Sequence, residues 1–239
     1  MKADPMIMNV LIVSIAGGLL CLDRVFIQTL ISRPIVAAPV TGAILGDPYT
    51  GLIAGAFIEL FWIDRLPIGA YVPPNDTVAA ILIAACAIES GRILGFLGHL
   101  PQGLIALAVL IFVPFAYLAQ QMDRWIIRGN EKPANEALKN VMNGAPHAIA
   151  RKHLFAALKT WLLSAGLILI AIPIGIGVMT WGYPRLTPRI IRGLDWVYGL
   201  LPLIGTAVAL NTIHLRGALP IFCAVFLTAT VILHYIQSF

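Results

Sequence analysis

Charge is what this 239-residue chain has least of: only 11% of its residues are Asp, Glu, Lys or Arg, where soluble domains carry about a quarter. With 59% hydrophobic residues and a mean hydropathy of +0.90, that scarcity excludes an ordinary soluble enzyme, a disordered chain and a nucleic-acid-binding domain. Cysteine is also scarce. Cys21, Cys86 and Cys223 lie far apart in apolar sequence, so they supply neither a disulfide framework nor metal-ligand spacing and read as small buried hydrophobes. The five histidines (His99, His147, His153, His214 and His234) are scattered, and no pair has metal-ligand spacing on one helix face. No Gly-x-x-x-x-Gly-Lys-[Ser/Thr] loop, Gly-x-Ser-x-Gly elbow or zincin motif occurs, which leaves the chain without ordinary ATP-binding or hydrolase chemistry. The net charge of +5 comes from no long basic run, so it reports membrane orientation rather than nucleic acid.

What the sequence does have is long uncharged stretches. Residues 5–22, 93–122, 160–184, 196–215 and 217–239 hold no Asp, Glu, Lys or Arg. Each approaches or exceeds the roughly 20 residues a helix needs to cross the hydrocarbon of a bilayer. An all-α, multi-pass membrane protein follows, since lipid offers no partner to an open backbone. Met6–Leu22 follows a weakly basic start and lacks an A-x-A cleavage pattern, so it is read as a retained first helix.

Between residues 23 and 92 the apolar runs shorten to 34–46, 48–58 and 77–88, cut by Asp47, Glu59, Asp64, Arg65 and Asp76 and by closely spaced prolines and glycines. Short interrupted apolar segments predict broken or re-entrant helical hairpins, and such backbone survives at membrane depth only where it is buried in protein or lines a cavity. The expected division is therefore residues 1–119, a membrane region with re-entrant segments and the substrate site; 120–153, a basic cytoplasmic loop with an amphipathic helix; and 154–239, C-terminal membrane helices. Arg124, Arg128, Lys132, Lys139, Arg151 and Lys152 put the middle segment in the cytoplasm by the positive-inside rule. A second basic cluster, Arg185, Arg189 and Arg192, conflicts with it unless residues 155–180 fold into a hairpin around Pro173-Ile-Gly175-Ile-Gly177 or the cluster is an exception.

Candidate ligands follow from the same logic. Glu59 is isolated in apolar sequence. An intramembrane carboxylate faces a cavity or a partner, so Glu59 either accepts hydrogen bonds from sugar hydroxyls or pairs with Arg65 or Arg33. Trp62, three residues on, shares a helical face with it and would offer an aromatic surface to a pyranose. In Tyr71-Val-Pro73-Pro74-Asn75-Asp76 the prolines break a helix and Asn75 or Asp76 caps the next. Helix ends of this kind supply ligand donors and acceptors at mid-membrane. Asp47, between Gly46 and Pro48, has turn chemistry. Gly42-x-x-x-Gly46, Gly51-x-x-x-Gly55 and Gly91-x-x-x-Gly95 predict close helix packing. Asn211 lies in an apolar helix, where an interhelical hydrogen bond is the commoner role. No residue is assigned a catalytic role, and no cofactor or metal is expected.

The run Arg33-Pro-Ile-Val-Ala-Ala-Pro-Val-Thr-Gly-Ala-Ile-Leu-Gly-Asp47, followed by Thr50-Gly-Leu-Ile-Ala-Gly, Glu59 and Ile68-Gly-Ala-Tyr-Val-Pro-Pro-Asn75, resembles the IIC component of the mannose/sorbose class of the bacterial phosphoenolpyruvate-dependent sugar phosphotransferase system. The likeness is specific at residues 24–80 and weaker beyond, returning near Asn211. It implies a sugar translocator of the bacterial inner membrane that moves a hexose by elevator-type displacement. A IID-type membrane subunit in a trimer of heterodimers and cytoplasmic IIA and IIB phosphocarriers would be its partners. IIB would phosphorylate the sugar, and the chain itself would not be an enzyme. Glu59, Asn75 and Asn211 match polar positions of the family. Pro67 stands where the mannose type has Asn before Ile-Gly-Ala, so one expected sugar contact is missing, which argues against mannose and leaves another hexose, sorbose or an amino sugar equally open. A facilitator, sensor or receptor of the same fold, working without phosphorylation, is the alternative.

Overall fold

The computed structural model describes residues 5–65, 71–96, 98–143, 147–212 and 217–237. Pro67, the Ile68-Gly69-Ala70 part of the family-like motif and His214 lie outside them. Every regular element among the described residues is helical. The expected short hairpin is present. α2 (Pro34–Leu45) and α3 (Pro48–Phe61) run back to back and are joined by Gly46 and Asp47. Each helix starts with proline at its first position, where the missing N–H costs nothing. Gly46 ends α2 at φ +83°, a left-handed cap that favours glycine. Asp47 starts α3, its carboxylate accepting from the Thr50 amide (3.0 Å) and hydroxyl (2.6 Å).

The two legs nearly touch. A Cβ on Gly51 would collide with the Ala38 carbonyl, and one on Gly55 with that of Pro34. Of the small-residue pairs expected to pack closely, Gly46 and Gly95 instead supply positive φ at turns, with no neighbour against them.

α4 (Asp76–Ile93) is the centre of the molecule. Sixteen of its eighteen residues are buried. Its sequence alternates small and branched residues (Val78, Ala79, Ala80, Ile81, Leu82, Ile83, Ala84, Ala85, Cys86) with no polar face, as expected of a helix surrounded by protein. The uncharged run 77–88 had read as another short broken segment. The helix in fact continues through Glu89, a buried carboxylate held by Asn9 Nδ2 and Arg92 Nη1, both at 2.8 Å. Arg92 also donates to the Leu45 carbonyl at 2.5 Å, capping an orphan acceptor at the end of α2. This clasp ties the hairpin tip to α4 and α1. Arg92→Ala should lower stability by about 2 kcal/mol, since it leaves a buried carboxylate and a helix-end carbonyl short of donors. Thermal unfolding of the purified protein in detergent reads that loss.

Around this centre, α1 (Pro5–Leu22) packs along α8 (His147–Gly182), and both α2 and α8 lie on α4. Within the uncharged stretch 93–122 the helix is interrupted at Val113-Pro114, between α5 (Gln102–Phe112) and α6 (Phe115–Gly129), although Gln102–Met142 remains one long apolar helical segment. α7 (Glu131–Met142) is amphipathic and has no buried residue, matching the surface helix expected there. α8 settles the question left by Pro173. It runs unbroken for 36 residues, about 54 Å, so there is no hairpin and the two basic clusters lie at opposite ends of one helix. Gly175 serves packing: it faces Cys86 of α4 and the Phe112 ring of α5. α9 (Pro188–Thr212) covers α3 and α5, and α10 (Ala218–Gln237) follows it. Four helical segments among the described residues are long and apolar enough to cross a membrane. Cys21 and Cys86 are buried as expected, whereas Cys223 is exposed.

Candidate functional site

Beside the break between α3 and α4 lies a cavity of about 640 Å³, within the range of small-molecule sites. Three parts of the chain wall it: the end of α1 with the loop that follows, Arg65 together with Tyr71, Val72, Pro73 and Asp76, and α6 through Asp123 and Ile127.

The first wall is irregular for a reason. α1 ends in a π-helical turn, Asp23–Ile27, followed by Gln28 at φ 60° and Leu30 at φ 68°. Left-handed backbone is unfavourable for such residues and persists where surrounding bonds over-determine it. Asp23 supplies those bonds. Its buried carboxylate accepts from the Thr29 amide (2.6 Å) and hydroxyl (2.7 Å) and from the Ser32 amide (3.1 Å) and hydroxyl (3.0 Å). The loop is pinned beneath the cavity, and Thr77 Oγ1 fastens it to α4 by donating to the Ser32 carbonyl at 2.6 Å.

The polar groups facing the cavity come in cross-element pairs. Arg24 forms an ion pair with Asp76 and donates to the Pro74 carbonyl at 3.2 Å. Arg33 pairs with Glu59, its Nε donating at 2.7 Å. Glu59 Oε2 also accepts from the Ile35 amide at 3.4 Å, so this carboxylate meets the positive end of α2 as well. Arg65 lies 3.4 Å from Asp64; the Tyr71 side chain, and then Asp64, hold its pKa above the ordinary guanidinium value. Asn75 caps α4 by accepting from the Val78 amide at 3.1 Å and donates to Asp123 Oδ2 at 2.9 Å. Its own amide donates to the Ala116 carbonyl at 2.9 Å, and Gln120 donates to the Val72 carbonyl at 2.5 Å. The broken backbone at 72–75 thus finds its partners on α6.

The residues singled out from sequence separate into three groups. Asp76 lines the cavity, and Asn75 is its immediate neighbour, bonded to the lining residue Asp123. Glu59 is held against Arg33, one of the two pairings considered for it, and reaches the cavity through that arginine. Trp62 and Asn211 are elsewhere. α3 ends at Phe61, so Trp62 leaves the helical register (φ −123°); it is buried in the core with its ring edge-on to Tyr117 and offers no face to a ligand in the cavity. Asn211 is exposed near the end of α9 and does not line the cavity. Asp23, Arg24, Ser32 and Asp123 line the cavity without being among the candidates that the sequence singles out. The signal for Asp23 and Arg24 was their place at the end of the first apolar run, facing the Pro-Pro break. The signal for Asp123 was an acid among the arginines of an amphipathic helix.

Comparison with known proteins agrees with this architecture. Residues 7–237 match the family model EII-Sor, the sorbose-specific IIC component of the phosphotransferase system. The chain belongs to that family. Among curated relatives, the mannose-specific EIIC component of Escherichia coli K12 is 26% identical over 199 residues, covering 82% of this chain and 70% of the relative. The sorbose-specific EIIC component of Klebsiella pneumoniae is 25% identical over 205 residues, covering 82% and 70%. The putative N-acetylgalactosamine permease IIC component 2 of E. coli K12 is 39% identical over 59 residues, 25% of this chain and 44% of the relative. A solved chain of the mannose transporter ManYZ in complex with microcin E492 shares the fold at TM-score 0.60 and 22% identity, covering 96% of this chain and 88% of that one. Another solved membrane protein shares it at TM-score 0.70 and 23% identity, covering 100% and 94%. The resemblance read from residues 24–80 is borne out, and this IIC chain is a multi-pass membrane protein.

Proposed function

We propose that this IIC chain is the translocating subunit of a sugar phosphotransferase system and that a hexose or amino sugar occupies the cavity beside the α3–α4 break. The observation that carries the reading is the convergence, beside one largely apolar cavity, of a helix cap (Asn75), two cross-element ion pairs (Arg24–Asp76 and Arg33–Glu59) and a carboxylate (Asp123). Sugar hydroxyls both donate and accept, and charged partners strengthen such bonds in a site screened from water. Asp76 and Asp123 would contact the sugar, while Asn75 would act by holding Asp123 and Glu59 by holding Arg33. Trp62 and Asn211, carried here from the sequence, have no route to the sugar within this chain. Residues 1–119 would supply most of the site, with Asp123 completing it from beyond that boundary.

The chain would assemble with a IID-type membrane subunit, in a trimer of heterodimers, and hand the sugar to cytoplasmic IIB and IIA phosphocarriers. Phosphoryl transfer would belong to those carriers, and this chain would supply binding and passage. Copurification of a IID-like subunit, together with phosphoenolpyruvate-dependent sugar labelling in vesicles that requires added IIB, tests this. Labelling that persists without IIB, or with this chain deleted, would overturn it.

Asn75 separates scaffold from site. Asn75→Ala removes a cap worth about 1 kcal/mol and frees Asp123. Asn75→Asp keeps a capping carboxylate but sets it against Asp123. Sugar binding should fall about tenfold or more in both variants; the alanine variant loses the cap at any pH, whereas the aspartate variant regains stability as the pH is lowered and one of the two facing carboxylates takes a proton. Equilibrium binding and thermal unfolding, measured on the same preparations, check the split.

A further inference from the structure

Two charge borders that lie apart in sequence meet in space. On α6 the uncharged run ends at residue 122, and on α8 the next one begins at residue 160. Lys159, the last charge before that second run, lays its ammonium over the Trp125 ring, 5.0 Å from the centroid. The same ammonium lies against Gly129, where a Cβ would stand 2.6 Å from Nζ, so a glycine at this point of α6 leaves it room. Both helices therefore pass from apolar to charged sequence at one level. Trp125, 60% exposed there, stands where tryptophan marks the boundary between hydrocarbon and headgroups.

The cations at this level have no acid to answer them. Lys159 is half-buried, yet Lys159, Arg124 and Arg128 form no ion pair among the described residues. The nearest carboxylate in sequence, Asp123, is turned to Asn75. Arg128 follows Trp125 by one turn of α6 and adjoins Gly129, so it shares the seam with Lys159. Further into the apolar run, on the Lys159 face of α8, Leu162 is 53% exposed. Two turns from Lys159, at Gly166, nothing lies within 4 Å of the place a Cβ would take. The seam thus presents cations and an indole at the headgroup level and an open apolar surface beneath them.

We propose that the α6–α8 seam at Lys159 is a binding site for an anionic phospholipid. Lys159 and Arg128 hold the phosphate, the Trp125 indole N–H is a further donor, and an acyl chain lies along Leu162 and Gly166. The positive-inside rule places the site in the cytoplasmic leaflet, because this end of α8 has seven Lys and Arg in residues 124–159 and the other end has Arg185, Arg189 and Arg192. Basic pockets between membrane helices on that side take anionic headgroups. Phosphatidylethanolamine suits the seam less well, since its own ammonium would enter a place already holding two unanswered cations. The site is separate from the sugar cavity, which neither Lys159, Arg128 nor Trp125 lines.

The test uses the full chain, purified with the subunits that accompany it, and titrates phosphatidylglycerol, phosphatidylethanolamine and phosphatidylcholine of one acyl composition. Retained lipid is counted by native mass spectrometry. The wild-type protein should hold phosphatidylglycerol about tenfold more tightly than the other two, the range of a charged hydrogen bond. Lys159→Gln and Arg128→Gln should each weaken that preference about fivefold, the double variant should abolish it, and Lys159→Arg should keep it. Lys139→Gln and Arg151→Gln remove the same charge elsewhere in the basic segment and should leave it unchanged. The wild-type comparison and Lys159→Arg keep the proposal refutable if a glutamine variant folds poorly. Equal wild-type retention of the three lipids, an equal loss in Lys139→Gln or Arg151→Gln, or an unchanged preference in the folded double variant would overturn it. So would a Lys159→Gln protein that keeps its lipid preference but loses sugar labelling by added IIB, since the seam would then serve a protein partner.

Discussion

Arg33→Met should cost the protein about 3–5 kcal/mol, because it leaves Glu59 uncompensated between α2 and α3. Glu59 accepts from Arg33 and from the Ile35 amide, and losing the guanidinium leaves one weak donor for a carboxylate with a side-chain exposure of only 17%. The double variant Arg33→Met/Glu59→Met removes both charges, and replacing a whole buried pair by apolar side chains is often neutral or favourable. It should recover most of the lost stability. Sugar binding should not recover with it, since Arg33 lines the cavity and no longer offers a donor. Thermal unfolding in detergent and equilibrium sugar binding, measured on wild type, on Arg33→Met and Glu59→Met singly and on the double variant, close the cycle. If stability and binding return together in the double variant, Arg33 and Glu59 serve the scaffold alone.

Gly51→Val and Gly55→Val should be nearly as damaging for a different reason. In each case the added Cβ meets a backbone carbonyl of the opposing leg, that of Ala38 or Pro34, and a carbonyl inside a helix cannot rotate aside. Overpacking of this kind costs about 1–3 kcal/mol at a single site. Parting the legs would also loosen α2 from α4 and so displace Arg33. Both variants should yield less folded protein and bind sugar weakly. Gly46→Ala tests the contrast, because nothing lies within 4 Å of a Cβ there and the penalty comes only from φ +83°, about 1 kcal/mol. Yield of monodisperse protein by size-exclusion chromatography ranks the three.

Much of this architecture was legible because it is written in residues with strong local preferences. Pro34, Pro48 and Gly46 mark the ends of the hairpin, Asp47 and Asn75 begin helices, and the charge-free runs give the spans. The site was harder to read because its members come from three places in the chain. Asp23 and Arg24 look like the polar flank of a first membrane helix until the π-turn carries them beneath the α4 cap. Asp123 is surrounded in sequence by Arg124 and Arg128 and so averaged into a basic loop, yet α6 turns it away from those neighbours and toward Asn75. Trp62 shows the opposite error. Helical spacing joins it to Glu59 only if the helix continues, and α3 stops one residue short. Pro173 was ambiguous for a plain reason: a proline in an apolar run is compatible with a kink, a break or a tolerated interruption, and the choice depends on what packs against it.

The complete enclosure of α4 has a mechanical consequence. A helix held on every side can neither roll about its axis nor slide along it without tearing open the contacts on all its flanks, so it moves only as part of the bundle that grips it. The Asn75 cap at one end and the Arg92 clasp at the other, about 25 Å apart along a rod of this length, are therefore two handles of one lever: whatever tilts the hairpin tip at the Arg92 end must carry the cavity wall at the Asn75 end with it.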